Sequence, residues 1–402
     1  MRVAVLFLRF GPYHLARLEA AGERLARDGD ELIGIEIAPT SHVYTWDTVT
    51  GGHHFRKVTL FEDRVHEDIP KQEVRSAVRT ALEQVDPTMV ALPGWSCRES
   101  LAALHWAMGR GVPTIMMSAS TRTDFARHWW SERIKCGVVR CCSAGLVGGQ
   151  RHADYMAELG MERDRIFPGY DVVDNDYFRT GADHAREQDA ELRERYHLPR
   201  RYFLVSSRFV PKKNLARLLT AYARYREAAG TTAWDLVLCG DGPLRGELEA
   251  AVDHMDLRTS VHFPGFVQYG ELPEYYGLAS AFVLASTVEQ WGLVVNEAAS
   301  AGLALLVSDR CGCAPELVVD GRNGYVLDPL DEAGIAAAMQ RLSDDPEGAA
   351  RMGQASQEIV SDFSPRRFAD ELVSAAVCAI EKPRVNPTVA DRMIVRLMAT
   401  LR

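Results

Sequence analysis

The sequence predicts an α/β protein built from two Rossmann-like domains that face each other across a cleft. At 402 residues the chain is too long for one ordinary domain, and it fits two domains of about 150–200 residues each. In both halves, short apolar runs suited to buried strands alternate with amphipathic stretches suited to helices. This alternation is typical of a parallel sheet flanked by helices, and the chain contains no internal repeat that would make the two halves copies.

The first half carries this alternation up to about residue 168. Predicted strands are 3–7, 32–37, 89–92, 114–117 and 145–147, and predicted helices are 14–27, 73–84, 99–110 and 152–160. The pattern breaks at 169–178, and residues 180–195 are charged with few large apolar side chains, which predicts a linker. We therefore expect a first domain over 1–178 and a second over 179–364. The helical pattern of 365–402 predicts a segment that packs back on the first domain.

The second half begins a new alternation. Predicted strands are 202–206, 235–239, 261–263, 282–285 and 304–307, with helices after the first two. Ligands of open parallel sheets bind at the carboxyl ends of the strands. The loops after Ser206, Cys239 and Ala285 are therefore expected to line the cleft.

The composition excludes several classes of function. A net charge of -9 disfavours a general nucleic-acid binder. The sequence has no run of about 20 apolar residues, so no membrane span is predicted. The N-terminal run is too short, and too soon interrupted by Arg9, to be a secretory signal. The eight cysteines include no C-x-x-C pair, which disfavours a zinc site and favours neutral thiols in the reducing cytoplasm.

Two acids, Glu289 and Glu297, stand eight positions apart in a segment with the pattern strand, loop, helix. Glu289 falls in the loop, and Glu297 falls about a turn and a half into the helix. The free N–H groups of such a helix start hold anionic oxygens, and a carboxylate accepts hydrogen bonds from sugar hydroxyls. The segment therefore predicts a binding site for a sugar nucleotide.

Two cations, Arg208 and Lys213, stand five positions apart in a proline-containing turn after the strand 202–206. Such a pair can bind one diphosphate, arginine through its planar fork and lysine as a point charge. The alternative is a solvated basic turn that precedes a helix. The diphosphate interpretation is favoured when the turn is taken together with the two glutamates.

These motifs and their order resemble the nucleotide-binding domain of family-4 retaining glycosyltransferases, which have the two-domain GT-B fold. The resemblance covers about residues 202–330, and its segments are 207–213 (SRFVPKK), 237–243 (VLCGDGP), 263–267 (FPGFV), 286–297 with the E-x7-E motif, 308–316 (SDRCGCAPE) and 320–325 (DGRNGY). It implies a metal-independent transferase that moves a sugar from a nucleotide-diphosphate sugar to a hydroxyl acceptor in glycan or glycoconjugate biosynthesis. The nucleotide sugar is then a co-substrate, and no cofactor is implied.

The resemblance also implies roles for particular residues. Arg208 and Lys213 would bind and stabilise the leaving diphosphate, and Glu297 would hold the ribose hydroxyls. Glu289 would contact the transferred sugar. The remaining donor contacts it implies are Gln290, Trp291, Gly292, Leu293, Phe266, Val267 and, in the first loop of the chain, Gly11.

The sequence departs from the family pattern at several positions. Asn214 stands where glycine is usual, and Trp291 stands where phenylalanine is commoner. In the first half the match is looser: the first loop, 10–14, has one glycine and a proline, and the histidine usual after the fourth strand is absent. Candidates for its contact with sugar or acceptor are Ser118, Ser120, Asp124 and His128, and His14 in the first loop is a further candidate contact.

Other interpretations stay open beside this one. Asp174-Asn175-Asp176 spells the D-x-D metal motif of another glycosyltransferase fold, but it lies before the predicted linker. A nicotinamide-dependent dehydrogenase would need G-x-G-x-x-G, and the segment after Gly240-Asp241-Gly242 has Arg245 at the third glycine position. A protein that binds a sugar nucleotide without turnover is the remaining alternative.

The acceptor and the base of the donor, UDP or GDP, do not follow from the residues. Phe125, Trp129 and Trp130 fit a lipid-linked or aromatic acceptor, although packing in the core or between the domains is the simpler interpretation. Arg392, Arg396 and Arg402 suit contact with an anionic membrane surface, which the net charge of -9 disfavours.

Overall fold

A computed structural model describes residues 1–42, 54–124, 127–382 and 386–401. The chain divides into two compact units. We call Met1–Val172 with Pro365–Arg402 the N-terminal domain, and Val173–Ser364 the C-terminal domain. This division lies between residues 172 and 173, whereas the sequence predicted a boundary after residue 178, and the segment from residue 365 onward belongs to the N-terminal domain.

The N-terminal domain contains a seven-stranded sheet in the order β3-β2-β1-β4-β5-β6-β7, and every pair in it is parallel. The strands are β1 Arg2–Phe7, β2 Glu31–Glu36, β3 Arg56–Thr59, β4 Met89–Pro93, β5 Thr114–Ser118, β6 Ala144–Val147 and β7 Ile166–Pro168. The helices are α1 Pro12–Ala26, α2 Lys71–Val85, α3 Arg98–Arg110, α4 Trp129–Val139, α5 Gln150–Glu158, α15 Pro365–Glu381 and α16 Val389–Leu401. The five predicted strands and four predicted helices of this half are confirmed; β3, β7 and α4 were not predicted.

The C-terminal domain contains a six-stranded parallel sheet in the order β10-β9-β8-β11-β12-β13. The strands are β8 Tyr202–Ser206, β9 Asp235–Cys239, β10 Val261–Gly265, β11 Ala281–Leu284, β12 Ala304–Ser308 and β13 Gly324–Leu327. The helices are α6 Asn175–Glu187, α7 Asp189–Tyr196, α8 Leu215–Ala229, α9 Arg245–His254, α10 Leu272–Leu278, α11 Leu293–Ser300, α12 Ala314–Leu317, α13 Glu332–Asp344 and α14 Pro346–Val360.

The linker predicted over residues 180–195 is wrong, because these residues form most of helices α6 and α7. Phe178, Ala182 and Ala185 lie on one face of α6 and are buried. Gly277 of α10 lies against the backbone of Ala182, where a Cβ atom would come within 2.5 Å of the carbonyl oxygen. Small residues at the contact let the two helices pack closely, so a segment with few large apolar side chains is still part of the core.

Each sheet reverses its strand order once. In the N-terminal domain the chain runs outward from β1 to β3 and then returns to place β4 on the other side of β1. In the C-terminal domain the chain likewise runs outward from β8 to β10 and then returns to place β11 on the other side of β8. Such a switch point opens a crevice at the carboxyl ends of the two central strands, and ligands of this class of sheet bind there.

The strands at both switch points are continuous apolar runs, and β1, β4, β8 and β11 are buried almost throughout. Both faces of a parallel sheet are covered by helices, which explains this composition. Among the described residues, no helix combines the length and the apolar content that crossing a bilayer requires.

Candidate functional site

Two loops of the C-terminal domain meet at its switch point, one after β8 and one after β11. The side-chain amide of Asn214 donates to the carbonyl oxygens of Ala285 (3.0 Å) and Pro329 (2.7 Å). The Thr287 amide donates to the carbonyl oxygen of Lys212 (2.9 Å). These hydrogen bonds fix the turn that carries the predicted cations against the loop that carries Glu289.

The backbone of Asn214 explains the departure from glycine at this position. Its φ is +58°, in the left-handed region where asparagine is tolerated better than most other residues. Glycine would adopt the conformation equally well but would lack the amide that joins the two loops. Asparagine therefore adopts the backbone conformation that glycine would adopt, and its side chain adds hydrogen bonds to the neighbouring loop.

Lys213 and Glu289, which are 76 positions apart, form an ion pair between Nζ and Oε2. The two side chains are only 11% and 13% exposed, and the Ser286 hydroxyl donates to the same carboxylate oxygen at 3.4 Å. The sequence placed both residues in the site but did not predict that they pair. The lysine charge is therefore already partly balanced by a carboxylate in this structure.

Arg208 differs from Lys213 in its exposure and in its pairing. Its side chain is exposed, and within the part of the chain that the structure describes, its guanidinium makes no hydrogen bond or ion pair. A guanidinium presents five N–H donors in a planar fork suited to phosphate oxygens. Arg208 is thus a cation at the carboxyl end of β8 whose donors are available to a ligand.

The loop after β9 packs directly on the loop after β8. Gly240 has φ +136°, and a Cβ atom there would lie 1.8 Å from the carbonyl oxygen of Ser207. Gly242 approaches the backbone of Phe209 in the same way, and the Phe209 amide donates to the carbonyl oxygen of Asp241 (2.8 Å). These glycines are needed for contact between two loops, which removes the main support for the dehydrogenase interpretation.

Helix α11 begins at this site with Gly292 at its N-cap. Gly292 has φ +103°, and a Cβ atom would lie 3.3 Å from Cγ of Glu289. No side chain caps the helix start. The order of strand, loop and helix predicted around the two glutamates is confirmed, and the first turn of α11 lies beside Glu289.

Trp291 points away from this loop into the domain. Its indole N–H donates to Oδ1 of Asn296 (2.8 Å), and its ring lies 6.0 Å from that of Phe363. The side chain is almost fully buried, so a contact of residue 291 with a donor would involve its backbone. The neighbouring Gln290 and Leu293 are partly exposed.

Glu297 lies just over one turn into α11 and is fully buried. Its Oε2 accepts a hydrogen bond from the hydroxyl of Tyr276, on α10, at 2.6 Å. Tyr276 was not among the predicted site residues, and only its place between the apolar residues of a short helix distinguishes it in the sequence. The tyrosine fixes one oxygen of the carboxylate predicted to hold the ribose.

At the end of β10, Phe266 and Val267 differ in exposure. Phe266 is 41% exposed, whereas Val267 is buried. An exposed aromatic ring provides a face on which a nucleobase can stack. Of the two residues predicted near the base, Phe266 is therefore the one whose side chain is accessible.

The Cys313 thiol lies behind the site, 4.0 Å from the carbonyl oxygen of Gly292. Burial raises the pKa of this thiol well above its ordinary value, and the nearby Cys311 and Glu289 act in the same direction. A thiol that stays protonated is a poor nucleophile. Cys313 therefore packs beneath the loop and does not supply a reactive thiolate.

In the N-terminal domain, Gly11 and His14 lie at the carboxyl end of β1. Gly11 is the N-cap of α1, and its amide donates to Nδ1 of His14 at 3.2 Å. Desolvation lowers the pKa of His14 to about 3, with Arg17 and Arg9 acting in the same direction. The imidazole is therefore neutral near pH 7, with Nδ1 as acceptor and Nε2–H as donor.

The other predicted contacts of this domain follow β5. The Ser118 hydroxyl accepts from the amide of Ser120 (3.2 Å), and the carboxylate of Asp124 accepts from the amide (2.9 Å) and the hydroxyl of Thr121. Ser118 and Asp124 are buried and hold this loop in shape. His128 is exposed and stacks on Trp130, with ring centroids 5.9 Å apart. Phe125 lies outside the described residues.

The D-x-D motif has a structural role at its first residue. Asp174 is the N-cap of α6 and accepts from the amide of Tyr177 at 3.0 Å. Asp176 is exposed and pairs with Arg179 at 2.7 Å. Among the described residues, no group of three His, Cys, Asp or Glu side chains is arranged to hold a metal ion.

The two parallel sheets, each with one switch point, define the GT-B fold, and the solved structures agree. Anabaena HepE in complex with UDP and glucose superposes with a TM-score of 0.69 at 16% identity, over 94% of this chain and 99% of that one. Sucrose-phosphate synthase from Thermosynechococcus elongatus gives 0.69 at 17% identity, over 93% and 98%. At these identities the likeness concerns the fold alone.

In sequence, the chain is similar to several glycosyltransferases. Residues 188–359 match the family model described as Glycosyl transferases group 1. Alpha-D-kanosaminyltransferase of Streptomyces kanamyceticus is 32% identical over 61% of this chain. A GDP-mannose-dependent alpha-(1-6)-phosphatidylinositol monomannoside mannosyltransferase of Mycolicibacterium smegmatis is 34% identical over 47%, and glycogen synthase of Mycobacterium tuberculosis is 32% identical over 69%. The chain spans 64%, 50% and 65% of the length of these relatives.

Proposed function

We propose that this protein is a glycosyltransferase that moves a sugar from a nucleotide-diphosphate sugar to a hydroxyl acceptor with retention of anomeric configuration. The observation that carries the proposal is the arrangement at the switch point of the C-terminal domain. The loops at the carboxyl ends of β8 and β11 carry the ion pair Lys213–Glu289 and the exposed Arg208. The second of these loops leads into the first turn of α11.

Each part of this arrangement has a role in such a transfer. Negative charge grows on the diphosphate as it leaves, and preformed cations and N–H dipoles stabilise that charge without rearrangement. Arg208 and Lys213 supply the cations, and the N–H groups at the start of α11 supply the dipoles. Glu297, fixed by Tyr276, suits the ribose hydroxyls, and Phe266 suits the base.

The described residues around the diphosphate site also favour a particular route. The carboxylate of Glu289 is held by Lys213, which makes it a better contact for sugar hydroxyls than a covalent nucleophile. The Cys313 thiol is kept protonated. We therefore infer a front-face reaction: the bond from the anomeric carbon to the diphosphate breaks, and the acceptor oxygen bonds to the same face of that carbon. The departing diphosphate accepts the proton of the acceptor hydroxyl. Arg208 and Lys213 balance the charge of the diphosphate without a metal ion.

The substrates are proposed from the chemistry of the relatives. The names of the relatives and neighbours include a GDP-mannose-dependent enzyme and a UDP complex, so we propose a UDP or GDP sugar as donor. The acceptor is a hydroxyl of a saccharide, a lipid-linked glycan or a small molecule in glycan or glycoconjugate biosynthesis. All eight cysteines are free thiols, which is consistent with a reaction in the cytoplasm.

A panel of nucleotide sugars tests the proposal. A ligand present at 100 times its dissociation constant stabilises the folded state by about 2.7 kcal/mol, so the true donor should raise the melting temperature by several degrees. NMR of the product formed from that donor should show the anomeric configuration of the donor sugar, with turnover unchanged by EDTA. An inverted product would refute the retaining mechanism, and binding without turnover on any acceptor would favour a protein that only binds the nucleotide.

A further inference from the structure

Helix α16, the last helix of the N-terminal domain, exposes an apolar stripe. Val389, Met393 and Leu397 are spaced four residues apart, so they lie on one face, and they are 76%, 65% and 57% exposed. The opposite face carries Val395 and Ala399, which are buried in the core of the domain. The helix is thus held by one side and presents a second apolar side outward.

Arginines line one edge of this stripe. Arg392 and Arg396 are exposed, and each precedes a residue of the apolar stripe by one position, about 100° round the helix. The single acid of the helix, Asp391, is buried and accepts from the amide (3.1 Å) and hydroxyl (2.7 Å) of Thr388. The exposed face of α16 therefore combines apolar side chains with positive charge and no exposed carboxylate.

The positive edge continues into a groove between α16, α2 and α3. A cavity of about 650 Å³ there is lined by five arginines and one glutamate, namely Arg75, Arg79, Arg110, Arg392, Arg396 and Glu83. Glu83 pairs with two of them, Arg79 (3.0 Å) and Arg110 (3.5 Å). The groove carries an excess of positive charge although the whole chain has a net charge of -9.

Helix α4, whose first turn carries two exposed tryptophans, packs against α16. Gly137 of α4 lies against Ile394, and Arg140 lies 3.9 Å from Asp391, so α4 and α16 run antiparallel. The first turn of α4 is therefore directed toward the end of α16. It carries Trp129 and Trp130, which are 83% and 54% exposed; core packing, the simpler interpretation of these residues in the sequence, is wrong for both.

We propose that the exposed face of α16 docks onto an anionic lipid bilayer. The helix would lie in the plane of the interface with Val389, Met393 and Leu397 at the boundary of the acyl chains. Arg392 and Arg396 would contact lipid phosphates. Tryptophan is enriched at the level of lipid headgroups, which suits the first turn of α4.

The composition of the surface favours a bilayer over two other occupants. A nucleic acid would use the arginines but leave the apolar stripe in water. A second copy of the chain, docked by a two-fold axis, would place the same surface against itself. In an antiparallel arrangement of the two helices, their arginine edges would meet with no exposed carboxylate on either helix to balance them.

Sedimentation of the full chain with vesicles tests the proposal. Vesicles of phosphatidylcholine and phosphatidylglycerol in equal parts should bind the protein, with binding that weakens as salt rises, and vesicles of phosphatidylcholine alone should bind it far less. The double variant R392Q/R396Q should partition about 25-fold less, since each arginine near an anionic surface contributes about fivefold. The variant M393S/L397S should lose about tenfold or more by removing apolar contact.

Matched controls keep the result interpretable. The variant L330S/R351Q removes an exposed leucine and an exposed arginine from the C-terminal domain and should bind like the unchanged protein. Circular dichroism melting should show that all variants are folded. Quenching by brominated lipid should fall in Trp129→Ser.

Three results would overturn the proposal. The first is equal partitioning of R392Q/R396Q, M393S/L397S and the control, and the second is no binding of the unchanged protein. The third is a concentration-dependent dimer that M393S/L397S abolishes, because it would assign the surface to a second copy. Binding is measured without donor or acceptor, so any of these failures leaves the proposed transferase activity to be judged on its own.

Discussion

Replacing Lys213 by methionine tests the coupling between the two loops of the diphosphate site. The ion pair with Glu289 is largely buried, with 11% and 13% of the side chains exposed. Removing one partner of a fully buried pair costs about 3–5 kcal/mol, because a charge is left without a partner. Since some exposure remains here, we expect a loss of about 2 kcal/mol for Lys213→Met and a similar loss for Glu289→Met.

The double variant separates this effect from general damage. Replacing both charges by apolar side chains leaves no unpaired charge, so the double variant should lose no more than either single variant. The resulting interaction energy is about 2–3 kcal/mol, within the range found for residues in direct contact.

Hydrogen exchange measures the change where it occurs. The Thr287 amide donates to the backbone carbonyl oxygen of Lys212, and the Gly312 amide donates to the backbone carbonyl oxygen of Glu289. Both amides therefore report the opening of these loops. Their protection should fall in each single variant and should fall no further in the double variant. Protection that falls additively would refute the coupling, and unchanged protection in the single variants would show that the pair does not stabilise the loops.

Three further substitutions test other parts of the site. Tyr276→Phe removes the hydrogen bond to the buried Glu297 and should weaken nucleotide binding by about 1–2 kcal/mol by calorimetry; an unchanged affinity would disconnect this carboxylate from the nucleotide. Gly292→Ala strains a residue at φ +103° beside Glu289 and should cost about 1–2 kcal/mol of unfolding free energy, with a stability equal to the parent counting against it. The pKa of His14 is lowered to about 3 in the folded state, so as the pH falls the unfolded chain binds a proton there before the folded chain does. The free energy of unfolding should therefore fall by about 2 kcal/mol between pH 6.5, the ordinary pKa of histidine, and pH 5. His14→Asn should remove that slope from denaturation curves, and a persistent slope would contradict the assignment.

Much of the fold was predictable because central strands of parallel sheets are buried on both faces. Such strands appear in a sequence as continuous apolar runs, as β1, β4, β8 and β11 do. The strands that were missed are β3, β7 and β13, and each lies at an edge of its sheet. An edge strand is short and partly exposed, so its residues do not form an apolar run.

The site was predictable only as far as local spacing reaches. Arg208, Lys213 and Glu289 follow predicted strands, so their place at one edge of a sheet could be derived. The ion pair of Lys213 with Glu289 joins residues 76 positions apart, and the hydrogen bond from Asn214 to Ala285 joins residues 71 positions apart. Such contacts depend on how two loops pack in three dimensions, which no linear spacing encodes.

The most direct test of the central claim is the turnover of Arg208→Ala with the donor found in the nucleotide-sugar panel. Arg208 is exposed and its guanidinium makes no hydrogen bond or ion pair within the described residues, so the free energy of unfolding of the variant should lie within about 0.5 kcal/mol of that of the parent. Turnover should nevertheless fall by about 10²–10³-fold, the usual effect of losing one preformed donor to a developing charge. Turnover close to that of the parent would contradict the claim that this switch point binds the leaving diphosphate.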